Sequence, residues 1–205
     1  LWLGVAEPEH GPRSEAPQPV WQLPKLPAAF WAVFGFGVIV TLARFSEAFV
    51  ILREQYLGLS LLHLPLVLIV MNAGAALSAY PAGVISDRIG RRGLLLAGIA
   101  VLVVADALLA LAGTTSTALV ASGIWGLHLG MMSGLLSAEV AATVPDDIRA
   151  TAFGVFNFGT GIALMFASGI AGVVWEVFGP EATFWLGGGL SVVALGLGLG
   201  LRRKA

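Results

Sequence analysis

The chain has no cysteine, few charges and little polar sequence from which to build a water-facing surface. Without cysteine there is no disulfide framework, no thiolate metal site and no cysteine nucleophile. Charged residues make up 11% and hydrophobic residues 58%, whereas soluble domains carry roughly 25% charged and 45–50% apolar residues. A net charge of -1 leaves no basic footprint for nucleic acid. His10, His63 and His128 are scattered without metal-ligand spacing, and no phosphate-cradling glycine loop is present. These absences exclude nucleic-acid binding and argue against a membrane metalloenzyme or a nucleotide-driven pump. They also leave no cofactor site and no catalytic constellation. Nothing resembles a signal peptide: the apolar scrap Leu1 to Val5 runs straight into polar sequence, and the start at Leu1 reads as cut from something longer.

What the chain does have is long apolar runs. Residues 1–27 read as the end of a preceding helix followed by a cytoplasmic linker, because Glu7 to Pro27 holds six prolines and three glutamates. Six apolar stretches follow, at approximately 28–50, 62–85, 94–112, 118–143, 149–174 and 180–201. Each is long enough to cross a bilayer core of about 30 Å at 1.5 Å per residue. Continuous rather than alternating apolarity selects helices over a barrel, so the fold class is an all-α membrane protein of six transmembrane helices. Pro65 and Pro81 predict a kink in the second span. Gly113 to Thr117, Pro145-Asp146-Asp147 and Gly179-Pro180 mark boundaries, the second as a helix N-cap. Trp31, Trp125, Trp175 and Trp185 read as headgroup-level anchors. If the spans alternate, nine of the eleven Lys and Arg fall on one side, which places both termini in the cytoplasm.

Between the second and third spans stands Gly83-Val-Ile-Ser-Asp87-Arg88-Ile-Gly90-Arg91-Arg92. Asp87 can accept from exposed helix-start amides, Gly83 can admit a neighbouring helix, and Gly90 can take a tight turn. The arginines can pair with acidic groups or anionic lipid heads. The pattern G-x-x-x-D-R-x-G-R-R resembles the signature loop of the major facilitator superfamily, and Pro145 to Gly154 resembles the family's entry into its fifth or eleventh helix. The polar linker before the spans makes the chain similar to the C-terminal half, helices 7 to 12. The resemblance implies a cytoplasmic latch formed by Gly83, Asp87, Arg88, Gly90, Arg91 and Arg92 with Glu139 and the helix start near Arg149. It also implies a second six-helix bundle, either the missing N-terminal half or a second copy.

Ionisable groups inside a bilayer are costly, about 2.5 to 3.5 kcal/mol at a helix centre, so each invites a functional reading. Arg44 and Glu47, three apart on one helix face, are expected to pair. Because the equivalent family helix lines the central cavity, they lead the candidates for solute contact or ion coupling, with a structural ion pair equally open. Asp106 is expected to be hydrogen-bonded and structural. His128 can relay a proton or simply pack, and Asn72 and Asn157 can line the cavity or bridge helices. Gly126, Gly130 and Gly134, and likewise Gly169 and Gly172, predict close helix contact. The implied function is secondary transport of a small-molecule solute by alternating access, with the proton available as coupling ion through Glu47, Asp106, Glu139 and His128. The expected setting is a bacterial cytoplasmic (inner) membrane. The other reading is a half-size membrane protein that oligomerises as a transporter or serves as a non-transporting scaffold.

Overall fold

Residues 25–200 are described by the computed structural model, apart from the side chains of Asp87, Ile89 and Ser133. Apolar sequence in a bilayer must satisfy its backbone internally, and the described residues answer with helices: α1 (Ala28–Ala43), α2 (Ala48–Tyr56), α3 (Leu64–Ile89), α4 (Arg91–Leu111), α5 (Thr115–Ala142), α6 (Arg149–Phe178) and α7 (Pro180–Gly200). Together α1 and α2 make one interrupted crossing, so the crossings number six. They alternate in direction. Arg88, Arg91 and Arg92 lie at one end, called the basic end below, and Arg53 lies at the other.

The turns explain the alternation. Gly90 takes φ 81° between α3 and α4, and Gly179 takes φ 92° between α6 and α7, conformations that cost glycine little. Pro180 then opens α7, where a missing N–H is harmless. Thr114 caps α5: its hydroxyl accepts from the Thr117 N–H, and the Thr117 hydroxyl accepts from the Thr114 N–H. The N-cap expected from Pro145 to Asp147 is not found. Asp146–Ile148 form a 3-10 turn instead, and α6 starts at Arg149 without a side-chain cap. Pro65 falls in the first turn of α3 and only Pro81 lies in its interior, where the fourth carbonyl back loses its usual donor.

Packing follows residue size. Gly126 lies against the Met71 carbonyl and Gly130 against the Ala75 carbonyl, so that an added Cβ would stand 2.1 Å from either oxygen. Gly74 meets the Gly123 carbonyl in the same way, at 2.4 Å. Thus α3 and α5 touch backbone to backbone, as small-residue faces permit in lipid. Gly134 continues the stripe in sequence but has nothing within 4 Å. Gly169 is equally open, and Gly172 meets only the tip of Phe49; the close packing expected along this face of α6 is absent because it looks outward. In their most apolar stretches α3 and α6 are each only 17% buried, against 50% for α4. The bundle interior therefore centres on α4, while α3 and α6 leave broad faces uncovered.

Candidate functional site

At the basic end the charged turn separates into distinct contacts. Arg91 Nη1, at the start of α4, lies 3.9 Å from Glu139 Oε1 near the end of α5. Both side chains are partly exposed, so the pair is held loosely. Arg92 donates to the Gly198 carbonyl on α7 at 3.3 Å. Arg92 and Glu139 also line a cleft of about 330 Å³ whose walls are Val33, Phe36, Leu95 and Leu136. Arg88 is exposed. Arg149 does not join this group: it pairs with Asp146, one turn away in sequence, because the 3-10 turn brings that carboxylate next to it. Gly83 has nothing within 4 Å, so it admits no helix in the described residues and instead faces outward. The side chain of Asp87, central to the expected latch, lies outside the described residues, as do Arg202, Arg203 and Lys204.

The second group surrounds the interruption in the first crossing. Residues 44–47 leave the helix, which corrects the expectation that Arg44 and Glu47 share a helical face. No ion pair joins them, although they are close enough for their charges to interact. With Phe45, Ser46 and Leu164 they line a cavity of about 210 Å³. Ser46 makes the break. Its hydroxyl accepts from the Ala48 N–H at 3.3 Å, and its own N–H donates to Ser168 Oγ on α6 at 3.2 Å, so local and tertiary bonds replace the helical ladder. Phe45 anchors the segment in the core against Phe49 and Phe184.

The remaining candidates do not converge there. Asn72 is exposed and donates to the Leu68 carbonyl of its own helix at 2.8 Å, not to another helix. Asn157 is exposed on α6. His128 is fully buried, with Nδ1 2.8 Å from the Gly98 carbonyl oxygen and Nε2 unpartnered. Asp106 is also buried but makes no hydrogen bond of ordinary geometry, contrary to expectation, because its neighbours are glycines and aromatic rings. Trp125 is 1% exposed in the core beside His128, not an interfacial anchor.

Sequence reasoning missed a third group at the opposite end. Arg53, which lies beyond the first span expected at 28–50, is 2% exposed. It donates from Nε to the Leu109 carbonyl at 3.1 Å and from Nη2 to the carbonyls of Ala110 and Ala112 at 3.3 and 2.9 Å. Nη1 pairs with Glu181 Oε1 at 2.6 Å. One guanidinium therefore satisfies the orphan carbonyls ending α4 and meets the acidic first turn of α7, as helix dipoles favour. Its neighbour Glu54 is buried and accepts from Ser122 Oγ on α5 at 3.4 Å. The legible signal was Arg53 set against Glu181 at a helix start.

Comparison with known proteins gives this arrangement a lineage. The profile of the Major Facilitator Superfamily matches residues 28–205. An uncharacterized MFS-type transporter of Methanocaldococcus jannaschii is 30% identical over 164 residues, covering 77% of this chain and 41% of that protein. The inner membrane transport protein YajR of Escherichia coli is 30% identical over 113 residues, covering 52% of this chain and 23% of its own length. The solved structure of the POT family transporter PepTSo superposes with a TM-score of 0.69 at 20% identity, over 88% of this chain and 38% of that one. The chain thus spans about two fifths or less of the relatives it matches. These relatives are transporters and not enzymes. With six apolar crossings, the signature turn and a profile match over the whole described bundle, the chain is an integral membrane protein and belongs to the Major Facilitator Superfamily.

Proposed function

We propose that this chain is one six-helix bundle of a secondary transporter that moves a small solute by alternating access, with its basic end at the cytoplasmic face of an inner membrane. The observation that carries the reading is the loose Arg91–Glu139 contact, 3.9 Å long and partly exposed, between two crossings at that end. An ion pair of this kind is worth about 0.2–1 kcal/mol. That is enough to bias two conformations and too little to lock either. The broken first crossing supports the same reading, since interrupted helices present charges and free backbone groups to solutes within a membrane. Arg44 and Glu47 beside their cavity are the proposed solute or ion contacts, and Asn72 and Asn157, exposed on α3 and α6 apart from that cavity, are proposed to line the space between this bundle and a second one. Latch membership is proposed for Gly83, Asp87, Arg88, Gly90, Arg91, Arg92 and Glu139, with the start of α6 near Arg149 as its neighbour. The uncovered faces of α3 and α6 suit contact with a second bundle, and the greater length of the relatives favours an N-terminal half as its source.

The test is accessibility of the basic-end cleft in the full-length protein in proteoliposomes. Removing the Glu139 charge (Glu139→Gln) should raise labelling of a cysteine placed at Ala32 by up to about fivefold, the factor equivalent to 1 kcal/mol. Solute flux should change with it. Unchanged labelling and unchanged flux together would show that the contact does not control the conformational equilibrium.

A further inference from the structure

Among the described residues two carboxylates are fully buried, Glu54 and Asp106. Glu54 has the Ser122 hydroxyl. Neither oxygen of Asp106 has a hydrogen-bond partner, and the Trp125 indole beside it on α5 interacts without reaching hydrogen-bond geometry. The site is shaped for a carboxyl by small residues: a Cβ added at Gly187 of α7 would stand 2.9 Å from Asp106 Oδ2, and one at Gly188 would stand 3.5 Å from the Asp106 Cβ. That same added atom at Gly187 would lie 2.6 Å from the Phe45 ring and 3.3 Å from the Ala43 carbonyl oxygen. Asp106 therefore sits directly behind the break in the first crossing, with only a glycine of α7 between them.

The charged and titratable groups on the packed elements are few. The break brings Arg44 and Glu47, which adjoin the residues at Gly187 in sequence. From α5 comes His128, one turn beyond Trp125, with Nε2 unpartnered and close enough to Arg44 for their charges to interact. The titratable group of α7 is Glu181, engaged with Arg53; Ser191, one turn past Gly188, adds a buried, unpartnered hydroxyl. An ionised carboxylate without a partner or water is among the most costly arrangements in a protein interior, whereas the neutral acid is tolerated. We propose that Asp106 is a proton-binding site within this bundle, holding its proton while Phe45 and Ala43 pack over Gly187 and giving it up when the break moves and water reaches the carboxyl. The O–H bond then breaks, the proton passes to that water, and the carboxylate left behind is stabilised by hydration. Its use in coupling rests on the transport reading; the protonation itself does not.

The two are separated by reading both in the full-length protein in lipid. Infrared spectra at neutral pH should show a protonated-carboxyl C=O band that is lost in Asp106→Asn and kept in Glu54→Gln. Trp125→Phe should shift the same band, which keeps the test valid if the Asn variant does not fold. A band unchanged in Asp106→Asn, or unmoved in Trp125→Phe where only that variant folds, overturns the proposal. In proteoliposomes, Asp106→Asn should retain solute exchange but lose at least tenfold in accumulation driven by a pH gradient; full accumulation overturns the coupling role. Absence of flux in the unmodified protein would count against transport and leave the infrared result standing.

Discussion

Arg53 shows how much one side chain can organise. A guanidinium offers five N–H donors in a planar fork and stays charged, so it can close the end of α4 and hold the start of α7 at once. Replacing it by alanine leaves the carbonyls of Leu109 and Ala112 without their donor, at an expected cost of about 3 kcal/mol, the range for breaking a buried charged contact. Lysine should recover less than half of this, because one ammonium cannot span the fork. Glu181 is about half exposed, with a side-chain accessibility of 49%, and Glu181→Gln should cost less than about 1 kcal/mol. Thermal unfolding of the three variants in detergent checks the order; equal losses for Arg53→Ala and Glu181→Gln would mean that the carbonyl contacts contribute little.

At the scale of the element, glycine position decides sign. At Gly126 an added methyl would meet the Met71 backbone oxygen at 2.1 Å, and backbone cannot step aside as a side-chain tip can. Gly126→Ala should therefore destabilise by about 1–3 kcal/mol or more. Gly134 lies eight residues further along the same helix with open space around it. Gly134→Ala should be neutral or stabilise by about 0.5–1 kcal/mol through helix propensity. Melting temperatures shifted in the same direction by both substitutions would contradict this packing. The sequence could place the stripe but not its end, since whether a glycine meets a neighbour depends on where two helices diverge. The break at 44–47 was illegible for a related reason. No proline or glycine occurs there, and the interruption is completed by Ser168, far away in sequence. Ser46 ahead of Glu47 and Ala48 was a faint cap signal inside an apolar run. Hydropathy, by contrast, counted the six long apolar helices of the described residues, because the bilayer imposes one length on each. It placed Arg53 outside the first of them only because the apolar count stops at the Arg53-Glu54-Gln55 cluster, while the helix continues to Tyr56.

At the scale of the molecule, the absence of cysteine makes sidedness directly measurable by single-cysteine labelling. Cysteines at Arg88 and Pro145 should react with an impermeant reagent from one side, and cysteines at Gly58 and Gly113 from the other. Any exchange between these sets would change the number of crossings and dissolve the basic end as a unit. Arg91, Arg92 and Glu139 depend on that unit, because three separate helices supply them and their contacts.

The contact of α3 with α5 has a mechanical consequence. Where side chains interdigitate, neighbouring rods can slip by exchanging rotamers; where main chain rests on main chain, with Ser78 Oγ also donating to the Leu127 carbonyl at 2.9 Å, there is no such bearing layer. The two rods must travel as a single beam. One long edge of that beam is the open flank of α3, and its tip carries Glu139. A push delivered sideways on the flank is thus passed to α5 along the stretch where the two meet, and from Gly134, where they have diverged, α5 alone carries it to the acidic tip.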